Sequence, residues 1–198
     1  MAKIVIPKSI VMKKIAIIII LLQSFNFINA QHEFKDTDQF VVRATSSEEN
    51  TSYVLNLERK GDDAVRLTTL YIEDTELLED VFVTTLENPG LKGVSSVIKM
   101  EVEYLACCAH VDAFYYMIKN DGEIVPLPGL QNVYCDDTDT DIQYTFPNQK
   151  HGVEGKILET ETFYNDSLTQ IKNINLKQSL TWVAGDIEKL NTTAITGY

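Results

Sequence analysis

The sequence predicts a mostly β fold, an antiparallel β-sandwich or partly open barrel with little helix. Three observations carry this. Short segments of alternating apolar and polar residues recur along the chain, about eight to ten in all, rich in β-branched and aromatic side chains. Turn signals such as Lys60-Gly61-Asp62-Asp63, Asn88-Pro89-Gly90 and Asn120-Asp121-Gly122 separate them. The gaps between segments are short, which suits antiparallel neighbours, because a parallel pair takes a crossover of a dozen or more residues.

The first thirty residues stand apart from that pattern. Lys3, Lys8, Lys13 and Lys14 form a positive region, residues 15–22 are an unbroken apolar run, and Ile28-Asn29-Ala30 ends in a small side chain. This is the pattern of a secretory signal cut after Ala30, and residues 12–30 alone contain a complete bacterial-type signal. The apolar run falls short of the roughly 20 residues that span a bilayer. In style the signal resembles those of exported bacterial proteins, a likeness that carries no site residues. The expected location is therefore periplasmic or extracellular.

Removing thirty residues from 198 leaves 168, enough for a single β-rich domain over 31–198 with a hydrophobic core. The four lysines leave with the signal, so the formal charge moves from −12 to −16. A surface this acidic repels phosphate backbones and anionic lipid, which argues against nucleic-acid binding and against membrane binding after cleavage. Protein, peptide and glycan ligands remain open, and charge says nothing of oligomeric state.

Residues 40–45 put Phe40, Val42 and Ala44 on one face of a first strand. Tyr53, Leu55 and Leu57 share a face of the second, and residues 65–72 make a third. Over residues 73–86 two patterns compete. Leu77, Leu78, Val81 and Phe82 have helical spacing behind an acidic start, whereas Val81-Phe82-Val83-Thr84-Thr85 has strand composition. A short helical turn running into a strand is expected there. Residues 142–146 read as a short strand stopped by Pro147, and residues 156–164 as another. A last long strand places Ile174, Leu176, Leu180 and Trp182 on one face, with Gln178 as the exception, and the polar tail over 190–198 is expected to fray.

Residues 97–137 hold all three cysteines and the densest run of strand-forming side chains. If Asp121-Gly122 are the two loop residues of a hairpin, Asn120 faces Glu123 and counting outward puts Cys108 opposite Cys135. Their Cα separation would be ~5.5 Å for a hydrogen-bonded pair, within disulfide range. In that register Pro126 and Pro128 fall in non-hydrogen-bonded pairs, which marks the returning strand as an edge. The outgoing strand, residues 97–119, exceeds the usual 3–10 residues, so a bend or β-bulge is expected near Cys107-Cys108. An extra residue there would bring Cys107 opposite Cys135 instead, and the sequence leaves both pairings open.

Several residues bear on chemistry. Cys108, His110 and Asp112 alternate onto one strand face, but positions two apart stand ~6.5 Å from one another, too far for the direct hydrogen bonds of a triad. No catalytic residue is assigned. Cys107, Cys108, His110 and Cys135 form a set that suits zinc or copper, although its spacing matches no standard zinc motif and export favours the disulfide. His32 and His151 are isolated in sequence and read as solvent-exposed. Asp137, Asp139 and Asp141 resemble the start of a calcium loop, but Ile142 and Asn148 stand where glycine and glutamate are needed. Tyr104, Tyr115, Tyr116 and Tyr134 could form a stacking surface for a sugar or peptide.

The favoured reading is an exported, soluble, non-enzymatic binding or interaction domain with no cofactor. The alternatives are a metal-binding or thiol-redox protein built on the four residues above, and a hydrolase whose site lies on loops.

Overall fold

A computed structural model describes residues 32–46, 52–61, 65–73, 76–105, 107–135, 140–164, 171–183 and 185–188. The chain divides after Gln31, and all the described residues lie in the unit that begins at His32. The expected signal over 1–30 and the tail over 190–198 fall outside them. The fold is mostly antiparallel β, as the alternating segments predict, and no helix occurs among the described residues.

Among the described residues, thirteen strands make three sheets. The largest contains β1 (Lys35–Asp36), β5 (Leu78–Glu87), β6 (Val94–Leu105), β7 (Ala109–Lys119) and β8 (Ile124–Pro126) in that order, with β9 (Leu130–Tyr134) also on β7. A three-stranded sheet has β2 (Phe40–Ser46), β3 (Tyr53–Arg59) and β4 (Val65–Ile72) in order. The third sheet runs β10 (Thr140–Thr145), β11 (Lys156–Tyr164), β12 (Ile171–Val183) and β13 (Asp186–Glu188).

The large sheet is the middle layer. On one face Ile98, Met100, Tyr116 and Ile118 pack with Phe40 and Leu57 of the three-stranded sheet, and Val102 packs with Leu55 and Ile72. On the other face Val97, Ala113, Tyr115 and Met117 pack with Tyr144, Ile157, Leu180 and Trp182 of the third sheet. This is why β7 is apolar on both faces: side chains alternate across a strand that is covered twice.

Four expectations need correction. The long strand over 97–119 is two strands. The chain reverses between Leu105 and Ala109, which face one another, so β6 and β7 form a hairpin with the cysteines at its end. Reversal lets both halves use their apolar faces within one sheet, which a bulged single strand could not do.

The turn after β7 has three loop residues, Asn120, Asp121 and Gly122. The Lys119 amide donates to the Glu123 carbonyl, and Gly122 takes a φ of 89°, the left-handed region that glycine enters at no steric cost. Ile118 therefore faces Ile124, one residue out from the two-residue count. The segment Leu127-Pro128-Gly129 absorbs the difference, and β9 returns to the counted register with Ala113 facing Leu130 and Ala109 facing Tyr134. Two compensating shifts thus leave Cys108 opposite Cys135, and the two are bonded with a Cα separation of 4.7 Å. That distance is near the closer, non-hydrogen-bonded spacing. Pro126 lies on the outermost strand in a non-hydrogen-bonded pair, because the next amide, Leu127, donates to Tyr115 O. Pro128 sits between β8 and β9, outside both.

No helical turn is seen in the described part of residues 73–86. β5 begins at Leu78 and pairs with β6 throughout, leaving Leu77 and Phe82 exposed. Strand pairing against β6 overrides the helical spacing.

The long final strand changes face midway. Glu159 pairs with Gln178 but Thr160 pairs with Leu176, so Lys177 is an extra residue in β12. The bulge separates Leu180, 1% exposed, from Leu176, 61% exposed, although their spacing alone puts them on one face.

Candidate functional site

Two places gather chemically capable side chains. The first is the closed end of the β6–β7 hairpin. Cys108 and Cys135 are bonded, and Cys107 is free and exposed. The Cys107–Cys135 alternative is therefore not the one formed. The proposed metal set of Cys107, Cys108, His110 and Cys135 has two of its thiolates in a covalent bond, and only the Cys107 thiol and the His110 imidazole remain as ligands. Cys108 is likewise excluded as a nucleophile.

His110 and Asp112 do meet. His110 Nε2 lies 3.2 Å from Asp112 Oδ1, and Gln131 Nε2 donates to the same oxygen at 2.9 Å. The ~6.5 Å spacing of alternate residues applies to the strand axis, and the two side chains lean toward each other across it. The imidazole also stacks on Tyr104, with centroids 4.9 Å apart and planes at 25°. This fixes the ring by a stack on one side and a carboxylate at Nε2.

The four tyrosines do not make one surface. Tyr115 and Tyr116 are 1% and 6% exposed and point to opposite faces of β7. Tyr115 meets Tyr144 edge-on at 5.0 Å, in the core. Tyr104 stacks on His110. Tyr134 donates to Asp141 Oδ1 at 3.2 Å. Asp141 therefore serves that contact, while Asp137 and Asp139 lie outside the described residues. Among the described residues, no group of three or more His, Cys, Asp or Glu is placed to hold a metal ion.

Three of the tyrosines, Tyr115, Tyr134 and Tyr144, carry a testable consequence. Tyr144 is pushed up to about 12, by burial first and then by the nearby Glu159 carboxylate. Tyr134 rises further, through burial and then the charge and hydrogen bond of Asp141, and burial and then Glu101 hold Tyr115 well above the ordinary tyrosine value. Unfolded tyrosines titrate near ~10, so between about pH 10 and 12 the folded chain holds protons that the unfolded chain has lost. Stability should be complete below about pH 10 and fall as pH rises through 12. Tyrosinate absorbance should show a late step that coincides with loss of the β circular-dichroism signal. Nine tyrosines that all ionise near pH 10 with that signal intact would contradict it.

The second place is a cavity of about 310 Å³. Its walls come from the segment before β1 (His32, Glu33, Phe34), from Lys99 of β6, from Gln143 and Thr145 of β10, and from Thr160 and Thr162 of β11. The turn residues Gln149, Lys150 and His151 and the β12 residues Ile171 and Ile174 complete it. The size is at the lower end for a small-molecule site.

Local chemistry explains how the walls are held. The His32 amide donates to Asn148 O at 3.3 Å and its Nδ1 lies 3.1 Å from Glu87 O. Asn148 Nδ2 in turn donates to Asn88 O at 2.9 Å. Phe34 anchors the segment by edge-on contacts with Tyr115 and Phe146. The turn after β10 is closed by the Phe146 amide donating to Gln149 Oε1 at 2.9 Å. A Cβ on Gly152 would collide with the carbonyl oxygens of Phe146 and Pro147, so this crossing needs glycine. Inside, the Thr145 and Thr160 hydroxyls are 3.2 Å apart, and Lys99 Nζ sits 2.6 Å from Glu101 Oε1.

No known protein family, curated protein or solved structure matches the chain. The site must therefore be read from its own residues.

Sequence reasoning did not anticipate this cavity. His32 and His151 are 119 positions apart in the chain and read as isolated, yet both line it. His151 is exposed, as expected, and His32 is half-buried. The one sequence signal was the Pro147–Gly152 region, where proline and glycine announce a built turn without saying what it faces.

Proposed function

We propose that this chain is an exported, non-enzymatic binding domain whose ligand is a small polar molecule held in the cavity beneath the segment His32-Glu33-Phe34. The observation that carries the reading is the lining itself. Amide, hydroxyl, imidazole and ammonium groups from five separate parts of the chain converge on one concave space. A few placed polar groups in a preformed concavity are what a ligand site requires. Export is supported by the N-terminal pattern of lysines followed by an apolar run and a small residue. The Cys108–Cys135 bond suits an oxidising compartment.

A library of small metabolites and short glycans, screened by ligand-observed NMR on the oxidised protein, tests this. Binders should shift the amides of Gln143, Gln149 and Thr160 in the ¹⁵N spectrum. If every binder maps elsewhere, or the library yields none, the proposal fails.

A further inference from the structure

We infer that the ligand of this cavity is a small carboxylate. The inference rests on the binding reading above and adds the ligand's charge to it. The chain is acidic, with 29 Asp and Glu against 17 Lys and Arg. Among the residues lining the cavity that balance is reversed: two lysines, Lys99 and Lys150, stand with a single acid, Glu33. Two ammonium groups in a concave wall focus the field on an anion, and the acidic exterior confines that attraction to the site.

Lys99 is the centre of the argument. Its side chain is only 15% exposed, and its bond to Glu101 uses one of three ammonium donors. Glu101 offsets part of its charge, but Lys150 makes no ion pair among the described residues. The rung of the sheet that holds Lys99 has Thr84 on one side and Tyr115 on the other. Neither lines the cavity, so Lys99 is the one residue of that rung that faces it. A carboxylate in the cavity can accept from the ammonium donors of Lys99 that Glu101 leaves. No arginine fork lines the cavity, so the arrangement suits one singly charged group better than a phosphate. The amides of Gln143 and Gln149 are placed to take hydroxyl or carbonyl groups on the rest of the molecule.

The test is an NMR titration of the full, oxidised protein with lactate, glutamate, citrate and glucuronate, alongside glycerol and glucose as neutral counterparts and inorganic phosphate. At least one carboxylate should shift Gln143, Gln149 and Lys150, with its neutral counterpart and phosphate binding at least about tenfold more weakly. Lys150→Gln, on an exposed turn, should weaken that carboxylate about tenfold while leaving the rest of the spectrum in place. Equal binding of glucose and glucuronate would overturn the charge assignment and leave the cavity reading standing. Tighter binding of phosphate, or no carboxylate response at the cavity, would overturn the inference as well.

Discussion

Cys135→Ala should lower the unfolding free energy by about 3–4 kcal/mol, the chain-entropy value for a loop of this length. The bond joins residues 27 apart and ties the closed end of the β6–β7 hairpin to the strand that returns beside it. Cys135 is the right partner to remove, because Cys108→Ala would leave Cys107 next to the vacated position and able to bond Cys135 in its place. Urea unfolding with and without reductant checks the expectation. Reduction should destabilise the wild type by a similar amount and leave Cys135→Ala unmoved. Thiol counting on the unreduced protein should find one reactive group, Cys107, in the wild type and two in the variant. Three thiols in the wild type, or a reductant effect below about 1 kcal/mol, would remove the disulfide from the account of this fold.

Asn132→Ala should cost about 3 kcal/mol for a different reason. Asn132 is 4% exposed on β9, and its carboxamide donates to Ile142 O at 3.0 Å and accepts from Ile142 N at 2.7 Å. The side chain thus does what a neighbouring strand's peptide would do, and it links the large sheet to β10 where no backbone ladder joins them. Alanine leaves a backbone donor and an acceptor unpaired, each worth about 1–3 kcal/mol when buried. Asn132→Asp keeps the acceptor but sets a buried charge against the Ile142 carbonyl, and should cost as much at neutral pH. Hydrogen exchange would localise the effect: β10 amides should lose protection before those of β6 and β7. Uniform loss across all three sheets would show that Asn132 is an ordinary core residue and not a link.

Much of the fold was legible in the chain. The boundaries of β3, β4 and β11 follow from alternation and flanking turn residues, because one face of each strand is buried and the pattern records it. The Cys108–Cys135 pairing was reachable by counting from Asp121-Gly122, although the true path has two offsets that cancel. Where pattern reading went astray, at residues 73–86, 97–119 and the bulge at Lys177, both faces of a strand were covered or the register slipped by one residue. A one-residue slip leaves no trace in a single strand's periodicity, and an apolar run on both faces does not say where the chain reverses.

The site was less legible, since its parts are far apart in the chain. His110 and Asp112 were visible as a pair, but their contact depended on side-chain lean and on the Tyr104 stack. The cavity was not visible at all. Composition and alternation determined that this chain is an antiparallel β protein and brought Cys135 opposite the Cys107-Cys108 pair, because hydrophobic periodicity and turn chemistry act over a few residues at a time. Only the tertiary structure decided that the largest sheet lies between two others, that Asn132 substitutes for a missing strand, and that His32 meets Lys99 and His151 around one space. Those outcomes depend on how separate sheets cover one another, and that is settled by long-range burial and not by any local pattern.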